Sequence, residues 1–189
     1  MNIKIIKLKS AFSTNDEAIK LIQKNKINPT IIFTDHQIKG RGTMGKKWVS
    51  LKGNLFLSIF FNLNQNRIDF KKIAAINPYI IRNILKNYTK YKIKIKKPND
   101  LLIKDKKLSG ILQETVYFKD QKYLIIGVGI NTLKHPVKKS FKSTSLSNYA
   151  FRPVKNEYLL KDIKKAYDQF ISDMNKYKIT YLKKKFCLN

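Results

Sequence analysis

The sequence predicts an α+β fold: a mixed, mostly antiparallel sheet with helices packed on one face. Two observations predict it. Helical and strand patterning occur in mixed order along the chain, and in the second half strand-length runs follow one another quickly through short charged turns.

Ile3 to Leu8 alternates like a strand, and Ser13-Thr14-Asn15-Asp16-Glu17 reads as the cap of a helix whose apolar face is Ala18, Ile19, Leu21 and Ile22. Thr30 to Thr34 is the next strand. A glycine-rich segment leads to a strand over Leu55 to Phe61, followed by one long helix from about Asp69 to Tyr88, bent at Pro78. The strict alternation of Tyr91 to Lys96 is a half-buried strand ending at Lys97-Pro98-Asn99-Asp100. Leu101 to Ile103 is a short strand before the turn at Lys104 to Lys107, and Leu112 to Phe118 pairs with Tyr123 to Gly129 around Lys119-Asp120-Gln121. From Asn131 to about Pro153 the chain is polar and loop-like. A final amphipathic helix carries Leu159, Ile163, Phe170, Ile171 and Met174.

A length of 189 residues fits a single domain spanning 1–189, and an apolar fraction of 43% argues against disorder despite a formal charge of +28. The basic residues are 36 lysines and 4 arginines scattered through every element, a pattern of solvated lysines rather than a base-reading interface, so no specific DNA partner is expected. No apolar run spans a bilayer, and lysines interrupt the apolar N-terminus, unlike a signal peptide; no membrane partner and a cytoplasmic location are the expectations. The lone Cys187 excludes an internal disulfide, and His36 and His135 lack metal-ligand spacing.

The segment Gly40-Arg41-Gly42-Thr43-Met44-Gly45-Lys46-Lys47-Trp48 sets three glycines, cations and the sole tryptophan on one loop. Glycines let backbone N–H groups approach an anion, Arg41 and Lys46 supply charge, and Trp48 offers a flat face to a purine. The spacing resembles a dinucleotide fingerprint, but a strand follows where that fingerprint needs a helix N-terminus. A loop between two strands remains, either a phosphate cover or an ordinary connection.

Three further motifs accompany it: Ser13-Thr14-Asn15, Lys96-Lys97-Pro98-Asn99-Asp100 with Lys107-Leu108-Ser109-Gly110-Ile111-Leu112, and Gly127-Val128-Gly129-Ile130-Asn131. Singly they read as a helix cap, a turn and a tightly packed strand. In this order and spacing the sequence resembles biotin protein ligases over nearly its whole length. The resemblance implies ATP-dependent activation of biotin to biotinyl-5'-AMP, with Mg²⁺, and transfer of biotin to a lysine of the biotin carboxyl carrier protein. It also implies that Ser13, Thr14 and Gln37 hold the biotin ring with Asn15 beside them, and that Arg41, Gly42 and Thr43 lie over the acyl phosphate. By the same resemblance Lys96 contacts the biotin carboxylate and the α-phosphate, while Gly40, Lys46, Trp48 and Asn131 belong to the ATP side. Lys96 and Arg41 are the expected catalytic residues; no metal ligand and no general base is assigned.

Departures from the family pattern are visible. Thr43 and Lys46 stand where the family usually has arginines, and Lys97 replaces the usual tryptophan after Lys96. The 12 residues before Ser13 leave no room for a helix-turn-helix, and the chain ends where a small β-barrel would follow; the expectation is a catalytic domain alone, with a homodimer possible in principle. The rival expectations are a lipoate or octanoyl ligase of the same fold, a degenerate biotin-binding protein, and a basic nucleic-acid-binding domain.

Overall fold

Alternation along three central strands decides the architecture. The computed structural model describes residues 2–63, 69–137 and 141–187. Its strands are β1 (Lys4–Lys7), β2 (Thr30–Thr34), β3 (Leu55–Asn62), β4 (Ile93–Lys96), β5 (Asp100–Ile103), β6 (Lys106–Phe118) and β7 (Gln121–Ile130). They form one seven-stranded sheet in the order β1-β2-β3-β7-β6-β5-β4, with β1 and β2 parallel and every other pair antiparallel. The mixed, mostly antiparallel sheet predicted from the sequence is the one observed.

On β3 and β7, Leu55, Leu57, Ile59, Phe61, Leu124, Ile126, Val128 and Ile130 point to one face and build the main core. Helices α3 (Asn77–Leu85), α4 (Asn156–Met174) and α5 (Ile179–Cys187) cover that face through Ile81, Leu85, Ile163, Phe170 and Leu182. The opposite face carries Phe56, Ser58, Phe60, Ile125, Gly127 and Gly129. Here the expectation of helices on one face meets an exception. Helix α1 (Thr14–Gln23) links the parallel strands β1 and β2, which only a crossover can join, and buries Ala18 and Ile22 against Ile32, Phe60, Tyr123 and Ile125 on this second face. Because α1 covers only part of it, the remaining sheet surface is left for a site.

The predicted helix over 69–88 is broken into α2 (Phe70–Ala74), α3 and a 3-10 turn over Lys86–Tyr88. Pro78 has no N–H to give the carbonyl of Ala74, and Gln113 Nε2 from β6 supplies that donor at 2.9 Å. Asn77, fully buried at the break, donates to Gln113 Oε1 (2.6 Å) and accepts from the Tyr167 hydroxyl of α4 (3.1 Å). Burial holds the Tyr167 phenol above its ordinary pKa, so it stays a neutral donor.

Elsewhere β6 is longer than predicted, beginning at Lys106, because Lys104 and Asp105 (φ 47° and 58°) form a two-residue hairpin; Lys119 and Asp120 (φ 48° and 58°) do the same between β6 and β7. The polar stretch from Asn131 is more ordered than its composition suggested. Ser143 to Leu146 are buried, Ser143 bridges Lys107, and Leu146–Asn148 is a 3-10 turn; residues 138–140 of that predicted loop lie outside the described residues. Helix α5 was not anticipated, its short apolar face, Leu182 and Phe186, being diluted by lysines.

Replacing Asn77 with alanine strands two buried polar groups, so Asn77→Ala is expected to lower unfolding stability by about 2–3 kcal/mol in urea titration, and Tyr167→Phe by about 1 kcal/mol. Equal, small losses for both would contradict the bridge.

Candidate active site

Three glycines leave bare backbone on the half-covered sheet face. Gly127 lies beneath Asn15: a Cβ there would stand 2.3 Å from Asn15 Oδ1. Gly110 and Gly129, partners across β6 and β7, lie beneath Trp48, and Cβ atoms on them would come within 2.7 and 2.6 Å of its ring. The start of α1 and the glycine-rich loop therefore come down directly onto the sheet, which any larger residue would prevent.

The loop is itself a small hairpin. Arg41 bridges Lys47, the Gly42 N–H donates to the Lys46 carbonyl (2.6 Å), and the Trp48 N–H donates to that of Gly40 (2.9 Å). Its tip is a 3-10 turn over Thr43–Gly45, in which Met44 (φ 55°) and Gly45 (φ 71°) are left-handed. Loop, sheet and α1 enclose a cavity of about 740 Å³. Ser13, Thr14, Asn15, Gln37, Arg41, Gly42, Thr43, Lys46, Trp48, Lys96 and Asn131 all line it, so four motifs far apart in sequence meet in one space. Gly40 does not line it. It is packed behind the wall, where a Cβ would meet Ser50 Oγ at 2.6 Å and Gln37 Nε2 at 2.7 Å.

At the α1 end the wall is a polar network. Ser13 occupies the cap position of α1, yet its side chain makes no capping bond. The Thr14 N–H donates instead to Gln37 Oε1 (3.0 Å), and Gln37 Nε2 donates to Ser50 Oγ (3.0 Å). Ser58 Oγ on β3 lies 2.7 Å from Thr14 Oγ1 and 2.5 Å from Asn15 Oδ1, and Asn15 Nδ2 donates to Glu114 Oε2 (2.6 Å). The types that read as a helix cap are thus turned into the cavity wall.

Glu114 is the node of this network. Both its oxygens accept from Arg41, each at 2.8 Å, and Arg41 Nη2 also reaches Asp16 at 2.8 Å. Burial works most strongly against the guanidinium charge, but Glu114 and then Asp16 outweigh it and hold the Arg41 pKa above its ordinary value. Lys96, by contrast, is exposed at the end of β4, and among the described residues its ammonium has no hydrogen-bond or ion-pair partner.

At the other end Lys107 stands 5.3 Å above the Trp48 ring and pairs with Asp100 at 2.8 Å. Asn131 gives its Nδ2 to the Thr144 carbonyl (3.1 Å), leaving its Oδ1 buried with no partner, as is Trp48 Nε1. Unpartnered buried polar atoms are costly; both residues line the cavity, but these two atoms are shut off from it, Trp48 Nε1 lying over Gly129. No group of three or more His, Cys, Asp or Glu side chains gathers anywhere among the described residues.

Sequence reasoning missed Ser58, Glu114 and the partnership of Lys107 with Asp100. Their signals were present: Ser58 is the one polar residue inside the apolar run Leu55–Phe61, and Glu114 shares the two-residue period of Gly110 and Leu112.

With this geometry in view, the sequence profile of the biotin/lipoate A/B protein ligase family matches residues 8–131. The chain belongs to that family. Among its relatives, the bifunctional ligase/repressor BirA of Escherichia coli strain K12 is 35% identical over 130 residues, covering 68% of this chain and 40% of that protein. Biotin–protein ligase 2 of Arabidopsis thaliana is 31% identical over 109 residues, covering 54% of this chain and 32% of its own. The chain thus spans well under half the length of these relatives. Among solved structures, the biotin protein ligase of Aquifex aeolicus in complex with biotin and ATP superposes with a TM-score of 0.80 at 26% identity, over 97% of this chain and 76% of that one. A bipartite lipoate protein ligase of Thermoplasma acidophilum shares the fold at a TM-score of 0.64 and 11% identity, over 89% of this chain and 83% of that one.

A methyl group on Gly129 is expected to lift Trp48 off the sheet. As Trp48 is the sole tryptophan, Gly129→Ala should shift the emission to the red and cost about 1–3 kcal/mol of stability. Unchanged emission would contradict the shelf.

Proposed function

We propose that the chain is one catalytic domain of a biotin protein ligase, which activates biotin to biotinyl-5'-AMP with release of pyrophosphate and transfers the biotinyl group to a lysine of a biotin carboxyl carrier protein. The observation that carries this reading is the convergence of four separated motifs on one cavity, with a network of amide and hydroxyl groups at one end and cations at the other.

The roles follow from the chemistry of each wall. The ureido ring of biotin needs donors and acceptors in a fixed pattern, which Ser13, Thr14, Asn15 and Gln37 offer. In the first step a carboxylate oxygen attacks the α-phosphorus and pyrophosphate leaves, so two anions must be brought together. Lys96, which pairs with no carboxylate among the described residues, is a cation available to both the biotin carboxylate and the α-phosphate. Arg41 is held in place by Glu114 and Asp16, whose carboxylates balance its charge, so it offers oriented N–H donors rather than net positive charge. Gly42, Thr43 and Lys46 lie over the product anhydride and exclude water from it. Trp48 and Asn131, which both line the cavity, suit an adenine: one offers a ring, the other a side-chain amide. In the second step the acceptor amine attacks the acyl carbon, AMP leaves, and the amine gives up a proton.

The carboxylates near the ATP end, Asp100 and Asp105, fit a Mg²⁺ that arrives on the nucleotide rather than one caged by protein, since Asp100 is already paired with Lys107. When bound, such an ion neutralises phosphate charge. Homodimer formation is part of the same proposal only as a property the family admits.

Incubation with Mg-ATP, labelled biotin and a biotin carboxyl carrier domain tests the reading, with lipoate and a lipoyl domain as the control arm. Biotin-specific labelling is expected, reduced at least about 100-fold in Lys96→Ala; lipoate labelling or no labelling would overturn it. Thr43→Arg is expected to lengthen retention of biotinyl-adenylate by about tenfold, a charge-assisted bond being gained on the anhydride phosphate. Equal half-lives for the two proteins would refute that role for Thr43.

A further inference from the structure

Phe12 and Ile38 are 53% and 54% exposed, and the backbone register places them side by side. Ala11 and Gln37 are partners in a parallel bridge that prolongs β1 and β2 toward the cavity, with Ala11 N–H donating to the His36 carbonyl (3.1 Å) and Ile38 N–H to that of Ala11 (2.9 Å). In such a ribbon the next pair points the other way. Ala11 and Gln37 are buried; Phe12 and Ile38 face solvent, and the Lys39 ammonium stands 5.2 Å from the Phe12 ring centre. Ser13 and Gln37, each one residue along the backbone from this patch, line the cavity.

Two adjacent large apolar side chains in water need a reason when they share their backbone with a reaction cavity. The second step supplies one: a lysine must reach the acyl carbon from outside, and the protein bearing it must rest against surface continuous with the cavity wall. Charge selects the kind of partner. Lys9, Lys39, Lys46 and Lys47 are all exposed on these segments, against the exposed carboxylate of Asp35 and that of Asp16, which is taken up by Arg41, on a chain of net charge +28. A second copy of the chain would bring like charge to this surface, whereas an acidic domain would be drawn to it.

We propose that Phe12, Ile38 and Lys39 form the docking surface for the acceptor domain, which meets it with an apolar contact ringed by acidic residues and presents its lysine to the cavity. The proposal rests on the ligase reading above.

The test separates the two half-reactions. Pyrophosphate release with biotin and ATP, without acceptor, is measured for wild type, Phe12→Ser/Ile38→Ser and Lys39→Glu, followed by biotin transfer against carrier-domain concentration. Release is expected to stay within about twofold of wild type in both variants, which also reports their folding, while the carrier KM rises about tenfold. The wild-type KM should also rise with salt, and less steeply in Lys39→Glu. An unchanged carrier KM in the double variant overturns the surface and leaves the ligase reading standing. So does a change from dimer to monomer in sedimentation with the carrier KM unaltered, which would assign the patch to a second copy. A wild type that releases no pyrophosphate overturns the ligase reading and this surface with it.

Discussion

Bare backbone on one face of β6 and β7 is what lets distant parts of the chain meet. Asn15 descends onto Gly127 and Trp48 onto the pair Gly110 and Gly129, at separations where a Cβ would collide. A sheet surface of ordinary side chains would hold the start of α1 and the glycine loop several ångströms further out, and the hydrogen bonds from Ser58 to Asn15 and from Asn15 to Glu114 would not form. The apolar residues of β3 and β7 serve this arrangement from the other side. By burying Leu57, Ile59, Ile126 and Val128 against α3 and α4, they fix the strands whose opposite faces carry the site.

Among the cations that line the cavity, Arg41 and Lys107 are held by carboxylates and Lys96 is not. Glu114 and Asp16 lock Arg41 into the wall, and Glu114 couples it through Asn15 and Ser58 to the buried centre of β3. Lys96 arrives from the far edge strand, exposed and without an ion-pair partner among the described residues. An oriented guanidinium and a lysine ammonium thus line one cavity, groups already in place for the anion chemistry proposed above.

Much of this was legible in the sequence, and the remainder was hidden for physical reasons. Strands with clear two-residue alternation were found near their true positions, and the four motifs marked the cavity wall through their order and spacing, which resemble those of biotin protein ligases. Ser58 and Glu114 escaped because a single polar residue in a strand does not say which face it occupies until its neighbours are known. Gly40 was assigned to the site with its loop, but loop membership does not tell which way a residue faces; it packs against Gln37 and Ser50 instead. The break at Ala74 depended on a donor from Gln113, 39 residues away, which no local pattern around Pro78 reveals.

The central claim is that the cavity holds an acyl adenylate in one orientation, and a crystal structure of the protein grown with biotin, ATP and Mg²⁺ tests it most directly. The account predicts biotinyl-5'-AMP with its ureido ring among Thr14, Asn15 and Gln37, its phosphate beside Lys96 and Arg41, and its adenine between Trp48 and Asn131. An adenylate lying in the reverse direction, or unreacted biotin bound away from Thr14 and Gln37, would contradict it.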